Sequence, residues 1–316
     1  MPASRLLTLL AALLAMAMIL AACGEETPDT AEEEDDGELA LDLDDAEEEE
    51  EVVEEEDEVV EEDVDVVATA NQVAQTLPDG WAYSNDIDEF KDAISVDGVV
   101  LIDVREADEF DEGHIPGAVN IPIRELGENL DAIPTDQPVW IYCLSGWRAG
   151  LANSSLRLMG YDNISAYTPG SAGWDAAGEE LVNEDNEMES FGDPGLAPEM
   201  VEAVNGFLTT IPEGFYVAGD VDAIKDAMDA GSVLVDVRQP EEYEEGRIEG
   251  AISVPLRSVI EQSDDIPTDQ NVIITCLSGY RASLALPILA VAGFDNLSGF
   301  PGSFNAWVEA GEAVEA

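Results

Sequence analysis

From about residue 87 onward, short apolar runs alternate with amphipathic stretches. Val99-Val-Leu-Ile102, Ala118-Val-Asn-Ile121, Val139-Trp-Ile-Tyr142 and residues 163–167 have the length and β-branched character of buried strands. Between them, Ile87, Phe90 and Ile94 recur at helical spacing. Helices are predicted over 87–95, 124–130, 148–159 and 172–177, with a short acidic helix or turn over 106–112. Strand–helix alternation of this kind predicts an α/β fold in which a parallel sheet is flanked by helices, with ligands bound beyond the carboxyl ends of the strands.

The whole pattern then occurs again. At an offset of 133 residues, Asp103-Val-Arg105 matches Asp236-Val-Arg238, and Gly117-Ala118 matches Gly250-Ala251. Ile133-Pro-Thr-Asp-Gln137 matches Ile266-Pro-Thr-Asp-Gln270, Gly160 matches Gly293, and Trp174 matches Trp307. Upstream the offset slips by one, pairing Leu77-Pro-Asp-Gly-Trp81 with Ile211-Pro-Glu-Gly-Phe215. A period this long marks a duplicated domain, each copy large enough to enclose its own core. The copies are expected over 68–182 and 197–316, joined by a polar, Gly/Pro-bounded linker over 183–196.

Candidate chemistry sits where the third long strand of each copy ends. Cys143-Leu-Ser-Gly-Trp-Arg148 and Cys276-Leu-Ser-Gly-Tyr-Arg281 each place a cysteine on a short turn between strand and helix. Backbone N–H groups and the helix dipole can converge on a thiolate there, lowering its pKa and attracting anions. Arg148 and Arg281 supply a fixed cation beside each cysteine. A disulfide between the two would require the loops to face each other closely, and their equivalent positions point instead to one thiol per copy.

Charge changes the picture mainly at the N-terminus. The chain has 316 residues and a formal charge of −61, and residues 25–65 hold 26 Asp/Glu and no Lys or Arg. Such a segment cannot bury enough apolar surface to offset its ordering entropy, so a disordered tether is expected over 23–67. The only lysines are Lys91 and Lys225, which argues against nucleic acid as a partner. Before the tether, Arg5, an apolar run and Leu20-Ala-Ala-Cys23 read as a signal peptide over 1–22. They resemble a bacterial lipobox, with Cys23 as the lipidated residue. That resemblance implies an extracytoplasmic protein anchored to the membrane through lipid.

In order, Asp103-Val-Arg-Glu, Glu109-Phe110, Gly113-His-Ile-Pro-Gly-Ala-Val-Asn-Ile-Pro122 and Cys143-x-Ser-Gly-x-Arg148 resemble the rhodanese family of sulfurtransferases. So do Asp236-Val-Arg, Glu242-Tyr243, Gly246-Arg-Ile-Glu-Gly-Ala-Ile-Ser-Val-Pro255 and Cys276-x-Ser-Gly-x-Arg281. The resemblance implies two tandem rhodanese-like domains and transfer of sulfane sulfur through a persulfide on Cys143, Cys276 or both. The donor would be a small molecule such as thiosulfate, the acceptor a thiol, cyanide or a protein. Leu144, Ser145, Gly146, Trp147 and Arg148, with Leu277, Ser278, Gly279, Tyr280 and Arg281, would bind the substrate. Asp103 and Asp236 are plausible partners for the loop arginines, and Arg105 and Arg238 are expected to be structural. His114, whose counterpart is Arg247, is expected to be non-catalytic, and Trp174 and Trp307 are expected to be core anchors. No cofactor and no metal is expected, since no paired Cys/His spacing occurs.

Other readings divide on the loop. A phosphatase of this fold has five residues between cysteine and arginine, whereas four are present here, and the sixth positions are Ala149 and Ala282. A binding, sensor or sulfur-carrier module delivering to a protein partner would look the same in sequence. Because both copies keep the loop, two independent sites are expected.

Overall fold

Asp65 opens the first helix, inside the stretch expected to be a tether. Its carboxylate accepts the Ala68 N–H at 3.0 Å and so caps α1 (Val66–Thr76). The computed structural model describes residues 64–184 and 186–316. The expected signal peptide, Cys23 and the tether up to residue 63 lie outside the described residues.

After α1 come β1 (Tyr83–Ser84), α2 (Ile87–Ile94), β2 (Val100–Asp103), α3 (Ala107–Glu112) and β3 (Val119–Asn120). They are followed by β4 (Val139–Tyr142), α4 (Trp147–Met159), β5 (Ile164–Tyr167) and α5 (Gly170–Ala176). The strands form one parallel sheet in the order β1-β5-β4-β2-β3. β4 is therefore central, and Cys143 leaves its carboxyl end between the ends of β2 and β5.

The second copy runs α6 (Pro198–Thr209), α7 (Val221–Asp229), β6 (Val233–Asp236), α8 (Pro240–Glu245), β7 (Arg247–Ile248) and β8 (Ile252–Ser253). β9 (Val272–Thr275), α9 (Tyr280–Val291), β10 (Leu297–Gly299), α10 (Ser303–Glu309) and β11 (Val314–Glu315) complete it. Its parallel sheet has the order β10-β9-β6-β8, and β7 pairs antiparallel with β11. A single bridge from Val217 to Gly299 stands where the first copy has β1 beside β5.

Two expectations need correction. The segment expected as a helix over 124–130 is two 3₁₀ turns, Ile123–Glu128 and Leu130–Ala132. Ile123 and Leu126, three residues apart, align on a 3₁₀ turn and are both fully buried there. The second correction concerns the cores. Each sheet has a separate outer cluster, around Phe90 and Trp174 in the first copy and Ile224 and Trp307 in the second. The largest cluster, however, spans both copies, from Ala70 and Leu151 to Val204 and Leu284.

Four helices between the sheets make that shared core. α4 packs along α9, and α1 lies on α9 and on the 3₁₀ turn Leu256–Ser258 of the second copy. α6 lies reciprocally on α4 and on the turn Ile123–Glu128 of the first. Each copy thus hands its first helix to the other. α4 is buried on nearly every side, and it carries Ala149, Gly150, Ala152, Asn153 and Ser154 in place of large residues. At Gly150 a Cβ would lie 1.8 Å from Ser283 Oγ, so the α4–α9 approach has room only for glycine there.

Candidate active site

The sulfur of Cys143 is held by its own loop. Gly146, left-handed at φ 91°, caps α4 and directs its N–H to Cys143 Sγ at 3.2 Å. In the second copy Gly279 does the same for Cys276 Sγ at 3.1 Å, with φ 98°. The loop carbonyls are tied elsewhere. Cys143 O and Leu144 O accept from Ser171 N and Ala172 N, and Cys276 O and Leu277 O accept from Phe304 N and Asn305 N. With those acceptors engaged, each sulfur faces one backbone N–H at a helix N-terminus, where negative charge is favoured. Both cysteines are free and each is 1% exposed.

The loop arginines are braced, but not by the aspartates. Arg148 makes a two-pronged pair with Glu109 of α3, Nη2 lying 2.7 Å from Oε1 and Nη1 on Oε2. Arg281 grips Glu242 of α8 at 2.5 and 2.7 Å. The hydrogen bond from Arg148 holds Glu109 below the usual carboxylate range against the opposing effect of burial, and Arg281 does so for Glu242. Asp103 is instead consumed by Arg105, whose Nε reaches it at 2.8 Å and whose Nη2 also donates to Gly113 O at 2.8 Å. Asp236 and Arg238 repeat the arrangement, with Nη2 reaching Gly246 O at 2.7 Å. Each aspartate is taken up by the arginine two residues further on, which leaves the loop arginines to the glutamates. These are closed structural clamps.

The remaining loop residues separate into two groups. Leu144, Ser145, Leu277 and Ser278 are exposed. Trp147 and Tyr280, expected at the substrate, are buried against the opposite copy instead. Trp147 Nε1 donates to Phe215 O at 2.7 Å, while Tyr280 accepts at its hydroxyl from Asn153 Nδ2 at 2.9 Å and packs on Tyr83. As the first residue of α4 or α9, each projects across the helix pair. His114 is buried, stacks on Phe110 and bridges through its backbone to Val182. Trp174 and Trp307 are buried and donate to Glu180 O and Ala313 O.

Each site also receives a residue from the other copy. Phe215 lies over the guanidiniums of Arg124 and Arg148, 4.6 and 4.9 Å from the ring centre. Trp81 lies over Arg257 and Arg281 at 4.9 and 5.6 Å. Both aromatics sit in left-handed backbone, as do their neighbours Ala82 and Tyr216. Side chains resist that conformation, and the surroundings must hold it. Arg124 does so by donating to Ile211 O and Pro212 O, and Arg257 by donating to Gln75 O and Pro78 O. The sites are thus not structurally independent. The Ser-Gly segments of both loops even border one cavity of about 290 Å³, together with Trp147, Tyr280, Tyr83 and Asn85. Neither thiol and neither Arg–Glu pair lines it.

Glu109, Glu242, Trp81 and Phe215 were the residues sequence reasoning left without a role. Each glutamate precedes its arginine by the same 39 residues, a regularity that the duplication itself produces and that does not mark the pairing. Among the described residues, no group of three or more His, Cys, Asp or Glu could hold a metal ion, and no helix is long and apolar enough to cross a membrane.

Two parallel α/β units, each with a cysteine cradled between the central strand and a helix, define a duplicated cysteine-loop protein. The rhodanese-like domain model matches residues 86–177 and 220–310, more than half of the chain, and the protein belongs to that family. A Bacillus subtilis protein, YqhL, is 45% identical over 74 residues, which are 23% of this chain and 59% of that protein. The thiosulfate sulfurtransferase GlpE of Actinobacillus succinogenes is 33% identical over 87 residues, 28% of this chain and 78% of that enzyme. The solved thiosulfate sulfurtransferase of Pseudomonas aeruginosa aligns over 76% of this chain and 47% of its own at 22% identity, with a TM-score of 0.35. The chain thus spans 59% of YqhL's length and less than half of the Pseudomonas structure's.

Proposed function

We propose that this protein is a sulfurtransferase that moves sulfane sulfur from a donor such as thiosulfate to a thiophilic acceptor, with Cys143 and Cys276 as the nucleophiles. The observation that carries this reading is the pair of buried thiols, each receiving a glycine N–H at a helix N-terminus and each beside an arginine held by a glutamate. Similarity to the thiosulfate sulfurtransferase GlpE supports thiosulfate as a donor class.

In the first half-reaction the thiolate attacks the outer sulfur of thiosulfate. The new S–S bond forms as the bond to the sulfonate sulfur breaks, and sulfite leaves with the electron pair. The persulfide's terminal sulfur then lies among the loop N–H donors, which stabilise its charge. In the second half-reaction cyanide or a thiolate attacks that sulfur, and the cysteine leaves as thiolate. Arg148 and Arg281, fixed by Glu109 and Glu242, brace the cysteine loops and keep a guanidinium beside each thiol. The exposed Leu144 and Leu277 lie at the loop rims, where donor and acceptor enter. Export and lipidation at Cys23, with the acidic segment as spacer, belong to the same proposal.

Thiocyanate formation from thiosulfate and cyanide tests this. Wild type is expected to turn over, the Cys143→Ser/Cys276→Ser double variant to be inactive, and each single variant to keep part of the rate. Turnover by the double variant would remove both cysteines from the reaction.

A further inference from the structure

The two sites are not copies of each other, and one difference lies at a residue remote in sequence from either loop. Ser303 is fully buried and has a left-handed backbone, φ 49°. The 133-residue offset pairs it with Gly170, φ 61°, which suits that conformation. At Gly170 a Cβ would meet Cys143 O at 2.2 Å and Leu144 O at 2.5 Å, so the first copy has no room for a side chain. The second copy makes the room, holds a disfavoured backbone, and puts a hydroxyl there.

That hydroxyl is aimed at the nucleophile. Ser303 Oγ accepts the Cys276 N–H at 3.1 Å, donates to Phe300 O at 2.6 Å, and lies 3.8 Å from Cys276 Sγ. It has one hydrogen and two acceptors within reach. While the sulfur is neutral the carbonyl takes the hydrogen. Once the sulfur carries charge, the charged acceptor is the stronger one, and a turn about Cβ–Oγ carries the hydrogen to it. The hydrogen stays on Oγ throughout.

We propose that Ser303 is a positioning residue for Cys276, giving that thiolate a hydroxyl donor that Cys143 lacks and making Cys276 the more reactive of the two thiols. The assignment rests on the reading of Cys276 as a nucleophile. The charged groups about the thiols come in matched sets. Arg148 with Glu109 and Asp103 with Arg105 correspond to Arg281 with Glu242 and Asp236 with Arg238. Two tyrosines break the match, and both hydroxyls are engaged: Tyr142, next to Cys143 where the second copy has Thr275, accepts the Ile115 N–H, and Tyr280 of α9 accepts from Asn153 Nδ2. Ser171, the nearest hydroxyl on the chain beside Gly170, is buried without a hydrogen-bond partner.

Peptide-resolved alkylation of the full chain with iodoacetamide tests this, because Cys143 and Cys276 are read separately in the same molecules. Ser303→Gly installs the residue the first copy uses, and Ser303→Ala removes only the hydroxyl. Both are expected to slow labelling of Cys276 about tenfold at neutral pH, as loss of one hydrogen bond to a charged group requires. The half-maximal rate should move to higher pH, the high-pH plateau should stay, and Cys143 should label as in wild type. An unchanged Cys276 rate in either variant, a lowered plateau, or equal slowing of Cys143 would overturn the assignment. Alkylation needs no sulfur donor, so these outcomes can be read even if the wild-type chain fails to turn over thiosulfate. That failure would instead count against the sulfurtransferase reading.

Discussion

At the scale of single residues, each site depends on where a charge can be held. Arg148 is almost fully enclosed, and Glu109, which neutralises it, is about one-third exposed at its side chain. Glu109→Gln and Glu242→Gln should each cost about 2 kcal/mol, the range for a hydrogen bond to a charged group, measurable by urea denaturation. The same variants should lower thiosulfate turnover by raising KM, because the guanidinium loses its fixed position. The pH dependence has a definite sign. Glu109 and Glu242 have folded-state pKa values below their unfolded ones, so their contribution is complete above about pH 4.5 and is lost as pH falls below it. Wild type should therefore lose stability steeply on acidification, and the Gln variants less steeply. The cysteines and arginines were legible in sequence because the loop is contiguous. Their glutamates were not assigned, because a pairing across 39 residues is made by the fold and not by spacing.

Among the elements, the helices between the sheets behaved least as their sequences suggested. The strands were readable from β-branched runs, since a strand buried on both faces is apolar throughout. α4 was placed to within a residue at its start, yet its burial was hidden, because small and polar residues such as Gly150, Asn153 and Ser154 read as an exposed face. Gly150 and Asn153 face α9 instead. Gly150→Ala should destabilise the chain by about 1–3 kcal/mol through overpacking against Ser283, and Ser283→Gly in the same molecule should recover part of that loss. Thermal melts of the double-mutant cycle would read the coupling. α1 went unassigned because its start lies at the margin of the acidic run, where composition alone argues for disorder. Its buried residues, Ala70 and Ala74, pack toward the second copy. Ala74→Arg should therefore speed hydrogen exchange in α9 and in the turn Leu256–Ser258 more than in the outer cluster around Phe90. Faster exchange confined to α2 and β2 would contradict the exchange of helices.

For the molecule as a whole, the duplication is more than two domains in a row. The period indicated two copies correctly, but a period does not say which copy a helix covers, and the exchange of α1 and α6 builds one core from both. Separately expressed copies should fail to fold cooperatively, and the intact described region should unfold in one transition. Charge acts at this scale too. With a formal charge of −61, the protein repels an anionic donor, so KM for thiosulfate should fall as salt rises from about 10 mM to 150 mM, where screening shortens from roughly 30 to 8 Å. The central claim, two persulfide-forming cysteines within one shared framework, is tested most directly by intact-mass analysis of the full chain after thiosulfate, for wild type, Cys143→Ser, Cys276→Ser and the double variant. The account predicts one reductant-labile sulfur on each single variant, two on wild type and none on the double variant. A single variant that takes up no sulfur while remaining folded would show that its surviving cysteine is not a working site.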